Sequence, residues 1–295
     1  MSSNFVRFAI TGFVGWMGGV TFEKWKNKSS VIAATSLEPV ARSQVEPVPN
    51  ATNVSQIMKF GIPGHNSIKT QENYVLSYDQ RNRVAHWVFE HLTREGLKSN
   101  DQVDRSKCEF QEDTFIHPFF RSQNSDYKGS GFDRGHLAAA GNHRTRQELV
   151  NKTFFLSNIA PQVGKGFNRD KWNRLEKYVR HLTRNTYRNV YVCTGPLYLP
   201  REEPDGKKYV KYQVIGSNNV AVPTHFFKVI VGETDQREYD LEAYVMPNKV
   251  IEEDTPLSAF MVPIESIERA AGLLFFDKIS RKTFRLINGR KVFPV

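Results

Sequence analysis

Cysteine is scarce in this chain: two residues, Cys108 and Cys193, in 295. Two thiols cannot build a disulfide framework, and neither sits in a paired metal-ligand spacing. A single bridge stays open, although packing alone explains Cys193 within the strand-like run NVYVCTGPLYLP. Long apolar runs are also missing. The best candidate, residues 8–22, has fifteen positions, and a bilayer-crossing helix needs roughly 20. No acidic residue precedes Glu23 and the only arginine in this head is Arg7, so an organelle-targeting presequence and a secretory signal both fit. Residues 26–55 carry scattered prolines without a sustained apolar period, the composition of a linker or tail. No internal repeat is found. The expected organisation is therefore a targeting or anchor segment with linker over 1–55 and one domain over 56–295.

Negative charge is in short supply as well. Asp and Glu number 31 against 41 Lys and Arg, a net charge of +10. Between Arg134 and Arg188 lie twelve basic residues and three acidic ones. A basic run is ordinarily a solvated face. Here the excess surrounds the one chemistry-bearing motif, which points to a polyanionic partner that releases counterions on contact.

Strand-like stretches occur at 73–79, 153–159, 189–195, 209–216, 224–231 and 241–247, each rich in β-branched and aromatic residues. With turn signals between them and few helices, they predict an antiparallel sheet and exclude a doubly wound nucleotide fold. Residues 168–185 predict one amphipathic helix. Trp172, Leu175, Val179 and Leu182 form its apolar stripe, Asn168 is the expected N-cap, and Asn173, Glu176 and Arg180 share one polar border. Within residues 265–276 an ordinary core helix is predicted, ending at Gly272.

The motif is GSGFDRGHLAAAGNHR, residues 129–144. A neutral imidazole at His136 suits proton removal from water near pH 7. Arg134 offers a guanidinium fork for phosphate, and Asp133 is placed to hold it or to orient a neighbour. Gly135 is expected to allow a tight turn close to substrate; the alanines read as small packing beneath the site. Mg2+ suits a site with few oxygen ligands and retained waters. Asn168 is the nearest donor, Glu176 and Asn173 stand ready for the ion's waters, and Arg180 reaches phosphate from the same edge. Bland readings compete. His86, His91, His117, His181 and His225 read as structural, His143 has no evident role, and the set His136, His143 and Cys193 matches no standard zinc spacing. These features alone leave phosphodiester hydrolysis and plain structural duty both open.

Five linked segments narrow the choice: DRGH at 133–136, FFLSNIAPQ at 154–162, FNRDKWNRLEKYVR at 167–180, YVCTGPLYLP at 191–200 and VAVPTHFFKV at 220–229. In order and spacing they resemble the DNA/RNA non-specific endonucleases with a ββα-metal active site. Within that family the chain looks like the mitochondrial branch. The resemblance implies an α+β fold with a central antiparallel sheet flanked by helices, and Mg2+-dependent cleavage of DNA and RNA to 5′-phosphate and 3′-hydroxyl ends, with Mn2+ able to substitute. It implies His136 as general base, Asn168 as the direct metal ligand, Glu176 orienting the metal's waters, and Arg134 and Arg180 on phosphate. Asn158 corresponds to a further active-site position, and Arg83, with Asp133, to substrate-binding positions. A homodimer, N-terminal membrane association, residence in the mitochondrial intermembrane space and relocation to the nucleus in cell death are implied too. The absence of base-reading elements agrees, because phosphate contacts position a protein without conveying sequence.

Overall fold

Along HFFKVIVGE, His225–Glu233, seven consecutive residues are buried, whereas a strand with one solvated face alternates polar and apolar positions. The run is unbroken because both faces are covered. Phe226 and Ile230 join Trp172, Leu175, Val179 and Leu182 on one side; Phe227, Val229 and Val231 join Ile264, Ile267 and Phe275 on the other. This strand lies within an eight-stranded sheet that carries the molecule.

The computed structural model describes residues 59–60 and 67–292. Two compact units are distinguished, Met1–Pro63 and Gly64–Val295, and the second is described by itself. Its strands are β1 (Ser67–Thr70), β2 (Tyr74–Asp79), β3 (Val84–Thr93), β4 (Asp133–His136), β5 (Ile159–Gln162), β6 (Asn189–Leu197), β7 (Arg201–Glu202), β8 (Lys208–Tyr209), β9 (Val214–Ile215), β10 (Val220–Ala221), β11 (His225–Glu233), β12 (Tyr239–Pro247), β13 (Phe284–Ile287) and β14 (Arg290–Lys291). Helices are α1 (Asn124–Tyr127), α2 (Gln147–Thr153), α3 (Asn173–Asn185) and α4 (Ile264–Ala271). The large sheet runs β1-β2-β3-β6-β11-β12-β13-β14. Every pairing in it is antiparallel except β12 with β13. The fold is thus α+β, with the apolar stripe of α3 on one face of the sheet and α4 on the other.

A smaller unit rides on the α3 face. β4 and β5 pair antiparallel, Asp133 opposite Gln162 and His136 opposite Ile159. The chain then enters a wide π-type turn, Gly164–Trp172, which leads directly into α3. Two paired strands, with α2 in the connection between them, and a helix therefore make up the unit, and the motif segments run through all three.

The structure departs from the sequence reading at several points. Asn168 is not an N-cap: it lies inside the wide turn, its N–H bonded to Val163 O, and Gly166 at φ +84° takes the left-handed step before it. Gly135 makes no turn. It is a strand residue whose Cβ would fall 2.1 Å from the Gln162 side chain, so glycine serves close packing. The expected strand over 153–159 is instead the end of α2, a 3-10 turn at Leu156–Asn158 and the first residue of β5. Residues 209–216 supply only the last residue of β8 and the two-residue β9, and the stretch is exposed along most of its length. The core helix, by contrast, ends where it was expected to, α4 stopping at Ala271 with Gly272 as its left-handed cap. Both cysteines are free, which settles the open bridge. The segment 1–55 lies outside the described residues.

Alanine in place of Gly135 is expected to destabilise the fold by about 1–3 kcal/mol through overpacking. Chemical denaturation of the variant is the check; an unchanged midpoint would show that Gln162 yields freely.

Candidate active site

Asp133 opens β4, and the site is assembled around its carboxylate. Arg169 grips it through two bonds, Nη2 to Oδ1 at 2.6 Å and Nε to Oδ2 at 2.8 Å. Asn168 Nδ2 donates to Oδ2 at 3.0 Å. Gly164 leaves the room, since a Cβ there would stand 2.9 Å from Asp133 Oδ1. The Arg169 bond first, and the Asn168 bond after it, hold the Asp133 carboxyl below its ordinary range against the opposing effect of burial. A carboxylate only accepts hydrogen bonds, so the Asn168 amide must face it with nitrogen and present its oxygen elsewhere. Asp133 thus orients its neighbours across the strand–helix junction; it does not hold Arg134.

His136, at the far end of β4, is 8% exposed. Two rings box it in: Phe154 edge-on at 4.6 Å between centroids and Phe110 at 5.6 Å. Nε2 is buried without a partner, whereas Nδ1 makes no hydrogen bond among the described residues and is the less buried of the two nitrogens. Burial, and then the charge of Arg105, push the imidazole down to about 3. Arg134 extends from the same side of the strand. Its guanidinium lies over the Phe110 ring at 4.3 Å and Nη1 donates to Asn124 Oδ1 at 2.6 Å, with the side chain exposed.

α3 contributes Glu176 and Arg180, both half-buried. Beneath them, Lys228 on β11 is 2% exposed, donates to Thr194 Oγ1 at 2.6 Å and stands 4.8 Å from the Trp172 ring centroid. Burial pushes the Glu176 carboxyl up, opposed by Lys228 and then by Arg180. Arg180 Nη1 donates to Asn142 Oδ1 at 3.1 Å. Arg105 joins the set electrostatically, since its charge acts on His136, Glu176 and Arg180 together.

Two expected site residues are placed differently. Asn158 is wholly buried, its Oδ1 accepting from Ala138 N at 2.9 Å and its Nδ2 donating to the carbonyls of Ala138 and Thr153. It staples the segment that follows His136 and has no surface to offer a substrate. Arg83, at φ +58°, sits at the β2–β3 turn and donates to the carbonyls of Arg81 and Phe119; no contact ties it to His136, Asn168, Glu176 or Arg180. Arg105 and Phe110 were missed by the sequence reading. Neither has a periodic or motif signal, because each reaches the site through a 3-10 turn and loop.

The donor set fits a hydrated divalent ion. Asn168 Oδ1 is a neutral hard oxygen that accepts no hydrogen bond, and among the described residues no three His, Cys, Asp or Glu side chains gather as a metal cluster. An ion held here keeps most of its waters, as Mg2+ prefers.

A strand bearing histidine, a second strand, and a helix entered through a turn that aims an asparagine oxygen: this is the arrangement of the ββα-metal nucleases. The family description "DNA/RNA non-specific endonuclease" matches residues 53–282, and the chain belongs to that family and is a nuclease. It is 56% identical over 237 residues to Endonuclease G, mitochondrial, of Caenorhabditis elegans, covering 80% of this chain and 77% of that one. With Endonuclease G, mitochondrial, of Homo sapiens it shares 57% over 224 residues, 76% of this chain and 74% of that one. The solved structure of the EndoG/EndoGI complex superimposes at a TM-score of 0.76 with 64% identity, over 84% of this chain and all (100%) of that chain.

Unfolded, the His136 ring takes a proton near 6.5; folded, only near 3. Between those values the unfolded chain binds the extra proton, so stability falls as pH drops through this window, by about 1.4 kcal/mol per unit at most. His136→Gln should flatten that part of a stability–pH curve, and parallel curves for the two proteins would refute it. Asp133→Asn should free the Asn168 amide to turn, raising the Mg2+ concentration needed for half-maximal cleavage about tenfold or more. Metal titration of the variant tests this, an unchanged midpoint being the contrary result.

Proposed function

We propose that the chain is a Mg2+-dependent, sugar-non-specific endonuclease in which His136 is the general base, with Mn2+ able to replace Mg2+. The single observation that carries the reading is the buried imidazole of His136, with Nε2 enclosed and Nδ1 the less buried nitrogen, on the strand that also orients Asn168 through Asp133. Hydrolysis breaks the bond between phosphorus and the 3′ oxygen and leaves 5′-phosphate and 3′-hydroxyl ends. His136 Nδ1 takes the proton of the attacking water. Its depressed pKa keeps the lone pair available throughout the physiological range, and an approaching phosphate, being anionic, counters the repulsion from Arg105 and raises the ring's basicity as the reaction proceeds. Arg134 and Arg180 bind non-bridging phosphate oxygens, with Arg105 adding positive field from the rim. A divalent ion held by Asn168 Oδ1, with Glu176 beside its waters, would neutralise charge on the phosphate and on the leaving oxygen.

Asn158 acts by holding the segment after His136, and Asp133 by orienting Asn168. Arg83 is left out of the reaction. DNA and RNA are both substrates in this reading, since every assigned contact is to phosphate and none distinguishes base or sugar.

The mitochondrial names of the relatives from Caenorhabditis elegans and Homo sapiens support a mitochondrial address, with residence in the intermembrane space and relocation to the nucleus as its finer form. Residues 1–55 would supply the targeting and membrane association, and the nuclease would work as a homodimer in mitochondrial nucleic-acid turnover and apoptotic DNA fragmentation. A secreted scavenging nuclease shares the chemistry but not the relatives' address. A binding protein without turnover would not need the His136 and Asn168 arrangement.

His136→Ala should lower plasmid and RNA cleavage by roughly 10²–10⁴ while gel-shift binding persists, and Asn168→Ala should do likewise with EDTA reproducing its effect on the native protein. Wild-type cleavage by either variant would remove that residue from its role.

A further inference from the structure

The tail of the motif, AAGNHR, has no part in the chemistry above, yet its Asn142 and His143 are as buried as the core. Asn142 and His143 are 4% and 5% exposed, and both meet Glu90 of β3, which is 1% exposed. Asn142 Nδ2 donates to Glu90 Oε1 at 3.0 Å, and His143 Nε2 lies 2.8 Å from the same oxygen. The carboxylate accepts only, so the Asn142 amide is forced to face it with nitrogen. Its oxygen then has one direction left, toward the 3.1 Å bond from Arg180 Nη1. Gly141 completes the cradle: a Cβ there would lie 3.1 Å from Arg180 Nη1 and 3.3 Å from Cζ.

We propose that Asn142 is a positioning residue for cleavage, aiming the Arg180 guanidinium at the scissile phosphate from a base fixed by Glu90 and His143. The inference rests on the reading of Arg180 as a phosphate contact. Its physical logic is that arginine has many rotamers to lose on binding. One bond to Asn142 removes much of that freedom beforehand and leaves the remaining N–H groups for the anion. A neutral amide is the right holder. Aspartate at 142 would pair with Arg180 and cancel the charge that phosphate needs, and it would stand against the Glu90 carboxylate at a buried, poorly screened place.

The test is a double-mutant cycle with Arg180→Ala, Asn142→Ala and the pair, following plasmid cleavage with KM and kcat determined separately and folding checked by thermal melting. Asn142→Ser serves as second variant, because it keeps a small polar side chain in the buried place but is too short to reach Arg180 or Glu90. Arg180→Ala is expected to raise KM roughly ten- to hundredfold, the range for loss of a charge-assisted hydrogen bond. Either Asn142 variant should raise KM in the same direction by less, and the double variant should be no worse than Arg180→Ala. A residue that matters only for structure would lower kcat through a smaller active fraction and leave KM alone; that pattern, or losses that multiply in the double variant, overturns the proposal. Wild-type KM in Arg180→Ala would remove the phosphate role itself, and the proposal with it, so the two failures are told apart by which single variant is silent.

Discussion

The hydrogen bond from the Asn168 amide to the Asp133 carboxylate joins the start of β4 to the wide turn that leads into α3, and the site's geometry depends on it. Each end is independently anchored. β4 is fixed by its ladder to β5 and by the Asn158 staple; the helix is fixed by Trp172, Leu175, Val179 and Leu182 against the sheet. With both ends held, the bond between them has one length to adopt and the amide one orientation. Gly164 permits it by having no side chain where the carboxylate stands.

Much of this was legible in the sequence, for identifiable reasons. The α3 stripe shows because one face is buried and the other solvated, and β2, β6, β11 and β12 show because β-branched and aromatic residues fill both sides of a covered sheet. β3 was missed. His86, Glu90 and His91 interrupt its pattern, and a buried glutamate reads as solvent-facing until Asn142 and His143 are seen bonded to it. At the site, His136 and Asn168 stand in a recognisable motif, whereas Arg105 and Phe110 arrive through space from an irregular segment that carries no period. Gly135 shows the limit from the other side. Its presence was legible and its reason was not, because the obstacle it avoids, Gln162, lies 27 residues on.

Charge is distributed unevenly through the sheet. Glu90, Thr194, Lys228 and Glu242 all belong to the face toward α3, where Tyr178 donates to Glu242 and Lys228 to Thr194. Burying ionised groups is costly, and hydrogen bonds recover only part of the cost. The position of two of them below the site gives that cost a use: the buried charges of Lys228 and Glu90 act on Glu176, and that of Glu90 acts on Arg180 as well.

The wide turn at Gly164–Trp172 has a consequence for descent. Its five-residue bond from Asn168 N to Val163 O includes one residue more than a regular helical turn, and one residue corresponds to about 100° of rotation. Removing it would leave the anchoring stripe of α3 in place while swinging the Asn168 side chain away from Asp133. The scaffold therefore sits a single deletion away from a catalytically silent paralogue that still grips polyanions, and a lineage could cross from cutter to binder without first becoming unstable.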